Sequence, residues 1–548
     1  LDARLERLAA RKSAWVRVGI DERVRYLERC VEQIGRHAEE WARLGCTHRG
    51  IDPRSALAGE EWLSGPMVTA QALRQYARTL SRGFDAPARA RRRSSGQLVA
   101  PVFPDNLLER FLYYDMRGEI WIEPGAEASR GRIYREKAAG RPGTGGVALV
   151  LGAGNVSSIP ALDLVHKLIV EDQVVLLKTN PVNGYLGPVF ERAFAPLLRD
   201  GFLEIVGGGA EVGDYLCLHP QVDSIHLTGS DRTHDAIVWG ATEEERSRRR
   251  AAGEPRVSKP VTAELGCVTP VLVVPGRWSP AQLDFQARHV AAMVSHNSSF
   301  NCNAAQVLVL QRGWNLREAF LERVEQALRE TPARHAYYPG AVERYRSFRA
   351  RYPASQVVGP PDDEGVPWTV IRGLHESSDD YVLRNEAFCG LLAELSLAAD
   401  DAVDFLERAV AFANERLWGT LSCAVIVDDA TRRAESAALD RAVERLHYGA
   451  VGVNVWPGVI FGMGATGWGA FPGHTPEAIG SGRGCVHNTG LIDHPQKSVL
   501  HARFRLWPKP IWFGDHRTLR ALGRHLTAFQ RRRTPWRLAA VAWWGLLG

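Results

Sequence analysis

The run Ser295-His296-Asn297-Ser298-Ser299-Phe300-Asn301-Cys302-Asn303 places a single thiol among polar residues. A cysteine that only packs usually sits in an apolar run. Asparagine, serine and histidine can instead hydrogen-bond a thiolate or a developing oxyanion, so Cys302 could act as a sulfur nucleophile. The plain alternative is a loop cysteine with no duty. The run lies between helix-patterned 286–294 and strand-like 307–310. Five other polar stations fall near strand ends: Asn155, Lys178, Thr228-Gly229-Ser230, Glu264-Leu265-Gly266 and Glu386-Ala387-Phe388. Each is weak alone, because polar residues at strand ends are common.

The elements that must position these residues follow from apolar patterning. Residues 1–83 read as helices, with Val24, Leu27, Val31 and Ile34 at helical spacing. The stretch 86–95, with Arg89 and Arg91 to Arg93, reads as a solvated basic connector, and 107–136 could hold a hairpin. From Gly146, short apolar runs at 147–151, 174–177, 203–206 and 224–227 alternate with helical segments at 159–170, 189–198 and up to 218. Such alternation implies a buried parallel sheet that binds ligands where its strands end. The charged stretch 243–255 reads as a surface insertion. A second alternating region then runs to about Val451, with strands near 271–274, 307–310, 391–397 and 424–427. The fold class is α/β.

At 548 residues, 45% hydrophobic and 24% charged, the chain should fold as two or three globular domains. A net charge of +6, spread along the chain and without any nucleic-acid signature, gives no reason to expect a nucleic-acid partner. Eight scattered cysteines without CxxC or Cys/His spacing argue against a disulfide framework and a metal site, and favour a reducing cytosol. The chain opens on a charge-rich helical pattern unlike a signal peptide, and no run reaches the ~18–20 apolar residues that span a bilayer.

Taken in order, Asn155, Lys178, Thr228-Gly229-Ser230, Glu264-Leu265-Gly266, Cys302 and Glu386-Ala387-Phe388 resemble the aldehyde dehydrogenase superfamily over roughly residues 20–500. The resemblance implies a Rossmann-type cofactor domain over 1–262 with an oligomerisation hairpin at about 120–142. It also implies a catalytic thiol domain over 263–450 and a return to the cofactor domain with an oligomerisation strand over 451–514, leaving a tail at 515–548. Cys302 would be the nucleophile, Asn155 an oxyanion donor and Glu264 the base that hydrolyses a thioester. Lys178 would reach the adenosine ribose or its phosphate, Gly229 and Ser230 the pyrophosphate, Glu386 the nicotinamide ribose, and Phe388 would pack near the ring.

Departures from the family pattern qualify this reading. The run Gly152-Ala153-Gly154-Asn155-Val156 resembles fatty acyl-CoA reductases, a distant branch. Cys267 stands where glycine is usual, and Cys389-Gly390 where Gly-Pro is. Pro181 occupies the place of a ribose-binding glutamate, so NADP is slightly favoured over NAD. The expected function is NAD(P)-dependent oxidation of an apolar, possibly long-chain, aldehyde; the alternatives are an acyl-CoA or acyl-thioester reductase and a catalytically idle nucleotide-binding scaffold. Trp456, Phe461, Trp468 and Phe471 would line the substrate entrance, and a strand within 500–513 would add to a neighbouring subunit of a homodimer or homotetramer. In the tail, Leu519, Leu522, Leu526 and Phe529 form one face of a basic helix ahead of the apolar, Trp-bearing 538–547. This suggests a cytoplasmic protein in peripheral contact with a membrane, or a tail docked over the active-site mouth or on a partner subunit.

Overall fold

The computed structural model describes residues 1–84, 88–113, 115–360, 365–378 and 381–548. The start of the basic connector, at Ala86, lies outside them.

Two sheets organise the chain. The smaller is built from β1 (Val147–Leu151), β2 (Val174–Lys178), β3 (Leu203–Val206), β4 (Ser224–Gly229) and β5 (Val261–Leu265). All five run parallel in the order β5-β4-β1-β2-β3, with the short strand Gly482–Arg483 antiparallel on the outer edge of β5. This is the Rossmann order, and the chain reverses direction across the sheet between β1 and β4, where such sheets bind dinucleotides. β1 and β2 are fully buried, as near-continuous Val/Leu runs under helices on both faces require. Helix α1 (Ile159–Ile169) follows β1 and is buried along its whole length.

The larger sheet has eleven strands. Its parallel centre comprises Ala450–Val453, Ser422–Ile426, Thr269–Val273, Ala305–Gln311 and Leu391–Leu397, joined edge to edge in that order. The expected alternation from about 269 to 453 is therefore one continuous sheet, and Cys302 sits in the loop entering Ala305–Gln311.

Several expectations need correction. Of the segment 120–142, only the end of Arg117–Ile122 is strand, and Arg132–Ala138 is helix. The strand pairs with Leu98–Phe103 and with Pro495–His501, so the hairpin lies earlier than expected and belongs to the larger sheet. The strand sought within 500–513 is Pro495–His501, paired on one side with Arg117–Ile122 and on the other with Ala450–Val453. Both of its edges are thus occupied within one chain, leaving none to add to a neighbour. Sheet membership also crosses the boundary at 262, because Leu98–Phe103 and Arg117–Ile122 join the larger sheet while β5 completes the smaller one. Patterning identifies a strand but not its partner.

Smaller differences follow the same logic. The segment 189–198 is two short helices that meet at Phe194, and the charged 243–255 contains the exposed helix Glu243–Ala252. In the tail, helix Leu519–Arg531 turns its apolar face onto the N-terminal helices in a cluster with Leu63, Met67, Val68 and Leu162. The face expected to meet a membrane or a partner is therefore covered by the same chain. Helix Pro535–Leu546 buries Val541 in this cluster and leaves Trp536, Trp543 and Leu546 exposed. Among the described residues no helix is long and apolar enough to cross a membrane.

Candidate active site

The eight residues singled out in the sequence, Asn155, Lys178, Gly229, Ser230, Glu264, Cys302, Glu386 and Phe388, all line one cavity of about 700 Å³. It opens where β1, β2 and β4 end and reaches down to the thiol.

The thiol loop leaves helix Pro280–Ser295 through an unusual backbone. Asn297, Ser298 and Ser299 have φ of 54°, 55° and 69°, three consecutive non-glycine residues in the left-handed region. Polar contacts hold them there. Asn297 donates its side-chain amide to the carbonyls of Asn155 and Phe300, each at 3.1 Å, and its backbone N–H to Glu60 at 3.3 Å. Glu60 is buried and paired with Arg334 at 2.7 Å; burial opposes ionisation, but Arg334 and His296 hold its carboxyl down at about 2. The Asn155 carbonyl also accepts from Arg49 at 2.8 Å and from Tyr337 at 3.1 Å. Asn155 in turn donates its side-chain amide to the Phe300 carbonyl at 3.0 Å, tying the end of β1 to the thiol loop.

Cys302 is half-buried and donates its thiol to Glu264 Oε1 at 3.6 Å. Burial, reinforced by the carboxylates of Glu264 and Glu386, pushes the thiol well above its ordinary range, so a base is needed to ionise it. Glu264 is the base within reach. It lies within β5, not on the approach to a strand, and is 2% exposed. Burial and then the Asp163 carboxylate raise its pKa to about 7, while His487 and hydrogen bonds from Trp468 (2.7 Å) and Cys302 pull it back. A carboxyl poised near neutrality suits a general base.

Glu386 rests against Gly266, where a Cβ would lie 2.0 Å from its Oε1, so the close approach requires glycine. Burial lifts its pKa to about 8, and Oε1 has no hydrogen-bond partner. Phe388 adopts φ 43°, with its ring 5.5 Å from Phe300 and 5.0 Å from Tyr338.

At the far end of the cavity Lys178 closes β2, and Ser230 caps helix Asp231–Val238 by accepting from the Thr233 N–H at 3.2 Å. Glu211 lines the cavity as well and faces Lys178 electrostatically; the lysine is otherwise depressed by burial. This corrects the expectation that no carboxylate stands there, since the acidic group comes from the β3 crossover instead of position 181. A lysine, a helix start and glycine-lined strand ends fit an anionic dinucleotide. Among the described residues no group of three or more His, Cys, Asp or Glu is placed to hold a metal ion.

Of the four expected entrance aromatics, Trp456 packs 4.8 Å from His296 and Trp468 holds Glu264. Phe461 lies 5.7 Å from Trp468. Phe471 instead stacks on His447, away from the thiol. Patterning did not single out Glu60, Arg334, Asp163, His226 or His487. A Glu60-Glu61 pair and a histidine inside a buried strand were the signals available for two of them, Glu60 and His226.

A Rossmann-order sheet joined to a thiol–carboxylate pair is an arrangement that sulfur-based chemistry on a dinucleotide would use. Comparison with known proteins places the chain further. Residues 164–343 match the aldehyde dehydrogenase family model. Aminoacetaldehyde dehydrogenase of Pseudomonas aeruginosa is 28% identical over 41% of this chain and 43% of its own length. The 1-pyrroline-5-carboxylate dehydrogenase of Bacillus cytotoxicus is 25% identical over 60% of each. The chain thus matches less than two thirds of the length of these curated relatives. Among solved structures, the gamma-glutamyl-gamma-aminobutyraldehyde dehydrogenase of Burkholderia cenocepacia superposes with a TM-score of 0.62 at 19% identity, covering 92% of this chain and 89% of that one. An indole-3-acetaldehyde dehydrogenase in complex with NAD+ gives 0.61 at 18% identity, covering 91% and 88%. At that identity the structural likeness shows the fold. Over residues 164–343 the chain is similar to the aldehyde dehydrogenase family, and over about nine-tenths of its length it shares the fold of these solved enzymes.

Proposed function

We propose that the chain oxidises an apolar aldehyde to its carboxylic acid through a thioester on Cys302. The observation that carries this reading is the Cys302 thiol directed at Glu264 within a cavity continuous with the dinucleotide cleft. Glu264 takes the thiol proton as sulfur adds to the aldehyde carbon, and the amide of Asn155 stabilises the oxyanion. A dinucleotide held by Lys178, Gly229, Ser230 and Glu386 would supply the hydride acceptor that converts the adduct to a thioester. Glu264 first gives up the thiol proton toward solvent. As a carboxylate again it removes a proton from the water that attacks the thioester carbon, and that proton returns to the Cys302 thiolate as the acid leaves. NAD and NADP both suit the cleft; Lys178 favours a 2′-phosphate and Glu211 opposes one.

Cys302 and Phe461 pack against the apolar cluster that contains Trp456 and Trp468, which supports an apolar substrate. A peripheral membrane contact goes with this. Helix Pro535–Leu546 exposes Trp536, Trp543 and Leu546 at helical spacing, and no acidic residue follows Asp515 to oppose an anionic lipid surface. Eight free cysteines suit a reducing cytoplasm.

The test is absorbance at the reduced-nicotinamide band with NAD or NADP and aldehydes of increasing chain length, for the wild type and for Cys302→Ala. Reduction that rises with chain length and vanishes in the variant is expected. Turnover only in reverse, from acyl-CoA, would replace oxidation with thioester reduction. Cofactor binding without turnover in either direction would leave a scaffold.

A further inference from the structure

We propose that a buried row of polar side chains from His487 to Glu171 carries the thiol proton taken by Glu264 to the surface, and so frees the base to activate water within each turnover. The inference rests on the reading of Glu264 as the base.

Sheet register builds the row. β4 and β5 are parallel, with Thr228 opposite Glu264 and His226 opposite Thr262. Alternate residues of a strand share a face, so these four side chains form a two-by-two ladder. Helix α1 brings Asp163, His166 and Lys167 to it at spacings of three and four, which is one helical face. His487 completes the group from the loop after Gly482–Arg483. Asp163, His166, Lys167, His226 and His487 are each 3% exposed or less. Burying so many polar groups costs more than apolar packing of the same volume, so the row needs a reason beyond stability.

The contacts run in series. His487 Nε2 donates to Asp163 Oδ1 at 3.0 Å, and the other Asp163 oxygen accepts from Thr228 at 2.9 Å. The Thr228 hydroxyl lies 3.4 Å from His226 Nε2, and His226 Nδ1 lies 2.9 Å from the Thr262 hydroxyl. Lys167 donates to Thr262 at 3.2 Å and to Glu171 at 2.7 Å. Glu171 retains 32% of its side-chain exposure, and His166 and Lys167 hold its carboxyl below the usual range against burial. Tyr76, from helix Val68–Arg82, also faces Asp163.

The row meets the base through sheet register and charge: Thr228 stands opposite Glu264, and Asp163 and His487 both act on the Glu264 carboxyl electrostatically. His487 Nδ1 and Glu264 Oε2 are both buried without a hydrogen-bond partner among the described residues. Phe461 packs edge-on against His487 at 4.9 Å and against Trp468, the indole that holds Glu264. Two acceptors stay unsatisfied while Glu264 is ionised. Once Glu264 has taken the Cys302 proton, the neutral acid can donate toward Nδ1. That proton moves onto Nδ1 as the Nε2 proton passes to Asp163. Asp163 holds the proton until the Thr228 hydroxyl turns toward His226 Nε2. One proton then moves from Asp163 to Thr228, from Thr228 to His226, from His226 Nδ1 to Thr262, and from Thr262 to Lys167, which has given its own to Glu171. Glu171 releases it to solvent. Glu264 regains its carboxylate, and no charge accumulates.

Thr262→Val cuts the row far from the thiol, and Thr262→Ser restores the hydroxyl; His487→Gln removes its first member. Rapid mixing with an apolar aldehyde and NADP or NAD reads the first turnover as a burst of reduced nicotinamide and the later ones as a steady rate. The expected result for Thr262→Val is an unchanged burst and aldehyde KM, a steady rate lower by about tenfold or more, and a larger solvent deuterium effect; His487→Gln should lower the steady rate at least as far. Thr262→Ser should recover the rate. Unchanged steady rates in both variants would overturn the proposal. So would a burst that falls together with the unfolding midpoint, because the row would then be structural. A wild type that gives no burst with any aldehyde would remove the base itself, and the relay with it.

Discussion

Gly266 and Glu386 depend on one another. A methyl at 266 would meet the Glu386 carboxylate at 2.0 Å and push it off its resting place beside the thiol. Gly266→Ala should therefore cut turnover by about tenfold or more, and adding Glu386→Ala should relieve the clash and recover thermal stability though not activity. Unfolding midpoints and steady-state rates of the single and double variants check this. Glu264 makes a prediction with a definite sign. Its folded pKa of about 7 exceeds the ordinary 4.5, so between those values the folded state keeps a proton that the unfolded state has lost. The stability it contributes is full below about pH 4.5 and is lost as pH rises through 7, on the order of 3 kcal/mol in all. Glu264→Gln should flatten the fall in unfolding midpoint between pH 5 and pH 8; an unchanged slope would contradict the burial argument. Cys302 and Glu264 were legible because a thiol in a polar run and a Glu-Leu-Gly segment are locally odd. Asp163 and His487 were not, since nothing local ties residues 324 apart to one hydrogen bond.

At the scale of elements, the thiol loop is the strained piece. Three successive left-handed residues cost about 1–2 kcal/mol each, and the buried Glu60–Arg334 pair with Asn297 offsets that strain. Arg334→Ala leaves Glu60 buried and unpaired, so a stability loss of about 3–5 kcal/mol is expected. Turnover should fall by more than tenfold with little change in dinucleotide affinity, read by denaturant unfolding and by cofactor titration. Full affinity loss would place Arg334 in the cleft instead. The parallel strands β1 to β4 were readable because fully buried strands are continuous apolar runs. Pro495–His501 was misplaced because it mixes Pro, Gln, Lys and Ser with its apolar residues, and because pairing between distant strands leaves no local trace.

At the scale of the whole molecule, the two sheets share one cavity, and the tail closes over the helices beside it. Both edges of Pro495–His501 are filled from its own chain, so the structure predicts that a dimer or tetramer would form through another surface. Light scattering after substitution of Val499 by Pro tests this: loss of folding with no free, folded monomer is expected, whereas release of a folded monomer would mean the strand bridges subunits. Trp536→Ser with Trp543→Ser should abolish co-sedimentation with anionic vesicles and leave turnover of a short aldehyde intact. The most direct test of the central claim is the intact mass of Glu264→Gln after one exposure to dinucleotide and an apolar aldehyde. An acyl adduct that maps to Cys302 and persists because hydrolysis has lost its base is predicted. No adduct, or the same adduct in a protein that also carries Cys302→Ala, would contradict it.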